Sequence, residues 1–209
     1  MVSSKYSEDL FLIAPFLHRS LPFRRLIMLD VDLAFRIDIV ELYGTFDSFS
    51  EAESMAFVPD LAPHYYHVLR FYRASNPGTL IGSPGRFQGL NTGVALYNLA
   101  RMRSKTTFNE YTADDDDLAA AVDELAAKFS FKSHLGDQCF FTLLSLEYPE
   151  WFKMMDCAYN FQLDVAMFRE PWDGVFPSYH NCTSKPKVYH MNGGNETPSE
   201  ETMLDIENS

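Results

Sequence analysis

Cysteine is scarce in this chain: Cys139, Cys157 and Cys182 are the whole supply in 209 residues. Three are too few for a disulfide scaffold, and their wide spacing does not match a zinc-ligand pattern. At most one disulfide can form, and Cys157 with Cys182 is the favoured pair because both lie in loop-rich sequence. Basic residues are also short: 17 Lys and Arg stand against 29 Asp and Glu, for a net charge of -12. Such a chain repels phosphate backbones, which argues against a DNA or RNA partner. An anionic ligand would need a bridging cation or local basic groups. No apolar run reaches the roughly 18–20 residues that span a bilayer. The opening stretch MVSSKYSEDLFLIAPF has no small-residue cleavage site, so no targeting signal is read there. Membrane attachment would need an anchor preceding this chain. There is no internal repeat.

Core-forming residues, by contrast, are plentiful. The hydrophobic fraction is 46%, with 18 Phe and 11 Tyr, enough for one domain with a sizeable core. Leu10, Ile13, Ala14 and Leu17 recur at helical spacing over 5–19, although Pro15 argues for a break. Arg25–Leu29, Ala56–Pro59, Asn91–Leu99 and Val188–His190 read as strands, and Asp38–Tyr43 as a short helix or turn. His64–Arg73 and 100–130 read as helical, and Asn76–Gly89 as the main loop. The acid run Asp114–Asp117 opens a helix, where carboxylates are favoured without any catalytic role. HLGDQCFFTLLSL is a polar loop feeding an apolar helix that starts at Asp137 and Gln138. Strands alternating with helices predict an α/β sheet, whose ligands bind at strand C-terminal ends. Beyond Asn195 the polar composition predicts a disordered tail over 196–209. Asn181-Cys-Thr183 and Asn195-Glu-Thr197 have the form of glycosylation acceptors and lean toward a secretory compartment.

The stretch RLIMLDVDLAF poses the chemical question, because an apolar strand runs straight into Asp30 and Asp32. Two residues apart on a strand, about 6.6 Å along it, both carboxylates face one side. They suit a hard divalent cation such as Mn²⁺ or Mg²⁺. They also suit an aspartyl nucleophile with its acid partner, or an ordinary solvated strand end. The nucleophile reading resembles haloacid-dehalogenase-like phosphatases. Those need a Lys and a late acidic pair after strands, and here the acid cluster opens a helix instead.

Company decides among these. RLIMLDVDLAF is followed by GRFQGLNTGVALYNL, KFSFKSHLGDQCFF and KVYHMNGG. That order resembles the family 8 retaining glycosyltransferases over about residues 8–198. The match is strongest with the branch acting on Notch-type epidermal-growth-factor-like (EGF-like) repeats. The resemblance implies a GT-A, Rossmann-like fold over residues 1–195. It implies Mn²⁺, with Mg²⁺ as the substitute, held by Asp30, Asp32 and His190. It implies transfer of xylose from UDP-xylose to an O-linked xylosyl-glucose, in the endoplasmic reticulum lumen or at its membrane. Asn91, Asp30, Asp32, Asn192 and Gly193 would bind the donor, Gln138 and Asp137 would sit at the reacting carbon, and His67 would face the acceptor. Each has a plainer reading: a turn for Asn91, an N-cap for Asp137, a structural histidine for His190, and core packing for the aromatic stripe around His67.

Departures are also legible. The chain starts just before the D-x-D strand, without the strand and loop that cradle the nucleotide base in the family. A binding-only remnant of the fold is therefore the alternative function. Glu196 stands where many relatives carry Lys, and Cys139 where an acid is usual. Asp164 and Gly193 stand where the compared branch has cysteines.

Overall fold

The computed structural model describes residues 12–84, 87–133, 136–163, 174–192 and 199–208. Gly193, Asp164 and Glu196, and the first part of the helix expected over 5–19, lie outside the described residues. Seven strands are assigned among the described residues: β1 (Leu26–Leu29), β2 (Leu33–Phe35), β3 (Met55–Pro59), β4 (Leu90–Tyr97), β5 (Phe152–Met154), β6 (Phe161–Gln162) and β7 (Val188–His190). The helices are α1 (Leu17–Ser20), α2 (Ile39–Gly44), α3 (His64–Val68), α4 (Arg70–Ser75), α5 (Leu99–Arg103), α6 (Thr106–Tyr111), α7 (Asp115–Lys128), α8 (Asp137–Glu147), α9 (Phe176–Tyr179) and α10 (Glu200–Asn208). None is long and apolar enough to cross a membrane.

Two sheets result, ordered β1-β4-β3-β5 and β2-β7-β6. The larger is covered on both faces, so its strands read as continuous apolar runs. Met55 and Phe57 of β3, with Ala95 and Tyr97 of β4, pack under Phe140, Phe141 and Leu144 of α8. Ala56, Val58, Val94 and Leu96 face the other way, onto Leu42, Phe46 and Val188. Asp114 caps α7 by accepting from Asp117 N at 2.9 Å, which gives the acid run its structural role.

Three features place the site. First, Asp30 and Asp32 do not lie on one strand. They flank Val31 in the turn where the chain leaves β1 in one sheet and enters β2 in the other. Second, β2 runs antiparallel to β7 with Leu33 opposite His190, which carries that imidazole back beside the turn. Third, the β3–β4 register breaks: Phe57 pairs with Ala95, but Val58 pairs with Asn91. Thr92, Gly93 and Val94 therefore have no partner in β3, and the bulge re-aims β4 toward the turn, where Asp30 N donates to Gly93 O at 2.9 Å.

The disordered tail expected over 196–209 is corrected in part, because Glu200–Asn208 is helical. Ser199 Oγ accepts from Thr202 N at 3.1 Å as an N-cap, Glu200 pairs with Arg36 at 2.8 Å, and Met203 is buried. Composition hid one apolar residue at the right place in a capped turn. Cys157 and Cys182 are joined by a disulfide, while Cys139 is a buried thiol outside it.

Candidate metal and sugar-nucleotide site

His190 is almost fully buried, and its Nε2 lies 3.3 Å from Asp32 Oδ1 and 3.6 Å from Asp30 Oδ2. One ligand atom from each of the three residues falls within 4.8 Å of the others. The ring fits there because position 93 is glycine: a Cβ on Gly93 would stand 2.7 Å from His190 Nδ1 and 3.0 Å from Asn91 Oδ1.

The protons of this cluster follow from one backbone group. Gly93 N–H can only donate, and it donates to Asn91 Oδ1 at 3.0 Å. That fixes the Asn91 amide, whose Nδ2 then donates to Asn192 Oδ1 at 3.0 Å. Asn91 Oδ1 also accepts from Asn160 Nδ2 at 2.8 Å, which turns Asn160 Oδ1 toward His190 Nδ1 at 2.9 Å. Nδ1 therefore carries the hydrogen, and the Nε2 lone pair faces two carboxylates. Burial holds the His190 pKa below its usual value despite both aspartates, so the neutral ring dominates near pH 7. Burial, aided by Asp32, holds the Asp30 carboxyl above the usual carboxylate range, against the pull of His190.

Three electron-rich groups aimed at one space repel one another unless a proton or a cation lies between them. Two carboxylates and an imidazole form a donor set suited to Mn²⁺ or Mg²⁺, with Mn²⁺ the better match to the nitrogen ligand. Asn160 supplies the outer hydrogen bond that metal-binding histidines ordinarily have.

Asp137 and Gln138 open α8 beside this cluster. Burial first, and the Asp30 carboxylate second, push Asp137 up to about 7. Gln138 Oε1 accepts from Thr92 N at 3.2 Å, an N–H that the bulge releases from the β3 ladder. Gln138 Nε2 donates to Tyr65 Oη at 3.2 Å. Asn192 takes positive φ (48°) next to the metal-ligand strand. His67 stands on the exposed face of α3, where its Nε2 accepts from Arg70 Nη1 at 2.8 Å. Asp30, Asp32, His190, Asn91 and Asn192 thus form one connected group, with Asp137 and Gln138 alongside. Asn160, Gly93, Thr92 and Tyr65 were not anticipated. Asn160 in AYNF is a polar residue inside an otherwise apolar run, which is the one sequence signal that could have marked it.

No protein-family model matches the chain. Human xyloside xylosyltransferase 1 is 34% identical over 199 residues, covering 93% of this chain and 49% of the relative. The mouse protein is 33% identical over the same length, covering 93% of this chain and 50% of its own. The chain thus spans about half the length of the curated relatives it matches. The apo crystal structure of mouse xyloside xylosyltransferase 1 superposes with TM-score 0.81 at 33% identity, over 93% of this chain and 67% of that one. The galactosyltransferase LgtC, at TM-score 0.56 and 15% identity, shares the fold alone. The GT-A architecture is common to these structures, and by its likeness to the mouse enzyme in both sequence and structure the chain belongs to the family 8 glycosyltransferases, the family of xyloside xylosyltransferase.

Proposed function

We propose that this chain is the catalytic part of a metal-dependent, retaining xylosyltransferase. Its donor is UDP-xylose, and its acceptor is the xylosyl-glucose carried by EGF-like repeats of Notch-type receptors, in the endoplasmic reticulum. The observation that carries the proposal is the Nε2 lone pair of His190 facing Asp30 and Asp32 across a shared space. The relatives' name supports the sugar and the xyloside acceptor.

Mn²⁺ bound by Asp30, Asp32 and His190 would offset the charge of the donor diphosphate as it leaves. The chain's own residues do the rest. Asn160 holds the imidazole in the tautomer that presents Nε2. Asn91 has spent both lone pairs of Oδ1 on Gly93 and Asn160, so it meets a donor hydroxyl only through the second N–H of Nδ2. Asn192, joined to Asn91, is assigned to the diphosphate together with Gly193, which follows it in the sequence. Gln138 is too weak a nucleophile for a covalent step. Its carbonyl dipole supports positive charge at the reacting sugar carbon, while the acceptor attacks from the face the diphosphate leaves. The departing phosphate oxygen takes the acceptor proton, and forming the new bond on that same face retains the anomeric configuration. Asp137 adds a carboxyl beside the same carbon, and His67 is assigned to the acceptor side.

Melting the protein with UDP, Mn²⁺, both and neither tests the metal-and-nucleotide reading. UDP should raise Tm only when Mn²⁺ is present. An equal rise in the presence of a chelator removes the metal from the proposal, and no rise with both removes the nucleotide. A donor panel tests the sugar: turnover of UDP-glucose without UDP-xylose ends the xylosyl assignment.

A further inference from the structure

Tyr65 is completely buried, yet it carries a hydroxyl where phenylalanine would fill the same space. Its ring stacks near Phe131, with centroids 5.9 Å apart, and lies against Gly89, where a Cβ would stand 2.5 Å from Tyr65 Cγ. Gly89 also holds φ +99°, so both backbone and space there demand glycine. The hydroxyl accepts from Gln138 Nε2 at 3.2 Å, and it lies beside Thr142, whose Oγ1 accepts from Leu90 N at 3.1 Å. Leu90 and Thr92 are two apart on β4. Their N–H groups thus anchor Thr142 and Gln138, the two side chains on either side of the Tyr65 hydroxyl. Because Thr92 N–H can only donate, the carbonyl end of Gln138 sits on the β4 side, beside Asn91 and Gly93. The amide end needs an acceptor, and Tyr65 provides it.

We propose that Tyr65 is a positioning residue for sugar transfer: its hydroxyl accepts from the Gln138 amide and holds the Gln138 carbonyl dipole toward the reacting sugar. The proposal rests on the transferase reading above. Tyr65→Phe keeps the ring packing and removes the hydroxyl that accepts from Gln138. The Gln138 amide then loses a fixed orientation, and a preorganised dipole becomes a mobile one. Transition-state support should suffer while donor binding does not, which separates kcat from KM.

The experiment is a double-mutant cycle on the purified protein with UDP-xylose and a xylosyl-glucoside acceptor. The variants are Tyr65→Phe, Gln138→Ala and the pair, each with Tm recorded. Tyr65→Phe should lower kcat about tenfold to hundredfold, with the donor KM within about twofold. In the Gln138→Ala background the same change should alter kcat by less than about twofold, because Tyr65 acts through Gln138. Wild-type kcat in Tyr65→Phe, or an equal loss in both backgrounds, overturns the proposal. If Tyr65→Phe does not fold, Tyr65→Met, which also removes the hydroxyl, runs through the same cycle, and a loss that multiplies with Gln138→Ala overturns it. A wild-type protein that turns over no donor overturns the transferase reading and this proposal together; the other outcomes touch this proposal alone.

Discussion

Gly93→Ala tests the packing on which the candidate metal group depends. The new Cβ would sit 2.7 Å from His190 Nδ1, where an ordinary contact needs about 3.5 Å. The Cβ overlaps the neighbouring Cε1 even more, so the imidazole must retreat by about 1 Å, yet it is buried and its strand is paired with β2. Nδ1 already spends its hydrogen on Asn160 at 2.9 Å, and a retreat of that size away from Asn160 carries the bond past the 3.5 Å limit. Overpacking costs about 1–3 kcal/mol, and loss of the hydrogen bond about 1 more. For a chain of this length that lowers Tm by roughly 5–15 °C. The same displacement carries Nε2 off its place beside Asp30 and Asp32, so Mn²⁺ affinity should fall at least about tenfold. Thermal melting and calorimetric Mn²⁺ titration read the two effects separately. A variant that melts within about 1 °C of wild type and binds Mn²⁺ as well would refute the claim that glycine is there to admit the ring.

Asn160→Leu preserves volume but removes the acceptor for His190 Nδ1–H and a donor to Asn91. Mn²⁺ affinity should fall about 10- to 100-fold by titration, and an unchanged affinity would show that Asn160 does not orient the ring. Asp60 is buried, and burial pushes its carboxyl up to about 7 against the help of Ala62 N–H. The folded state therefore keeps this proton to higher pH than the unfolded chain, whose carboxyl titrates near 4. The stability it contributes is complete below about pH 4 and lost as pH rises to about 7. Asp60→Asn should gain on wild type across that window, by at most about 4 kcal/mol at pH 8, in urea denaturation at several pH values; a pH-independent difference would contradict this. Cys157 and Cys182 are 25 residues apart and tie the turn carrying Asn160 to the segment that leads into β7. Cys157→Ser should cost about 3 kcal/mol by denaturant midpoint, and an unchanged midpoint would show the tie to be idle.

How far the sequence foretold this site depends on what kind of signal each part leaves. The central strands were legible because burial on both faces writes apolar runs, as in AFVP and NTGVALY, and the half-buried edge strand LIML by its apolar letters alone. Asp30 and Asp32 were legible by type but not by placement. LDVDLAF contains neither glycine nor proline, so nothing in it announces a turn between two sheets. The expectation of one strand with both carboxylates on one side reached the right pairing through the wrong local geometry. Gly93 was visible as a motif letter, but its reason lies in an imidazole nearly a hundred residues away, which no local pattern can encode. The amides are the extreme case. Asn91, Asn160, Asn192 and Gln138 are neutral and aperiodic, and each is as common in turns as in sites. They become informative only when a backbone N–H of known direction, Gly93 or Thr92, fixes which end of each amide is which. The β3–β4 bulge leaves Thr92 N–H free to orient the glutamine, while Gly93, whose carbonyl already pairs with Asp30 on the β1 side, turns its N–H to Asn91 and through Asn160 orients the histidine. A substitution that restored regular pairing there would draw Thr92 N–H back into the β3 ladder and release the Gln138 carbonyl without touching the glutamine itself.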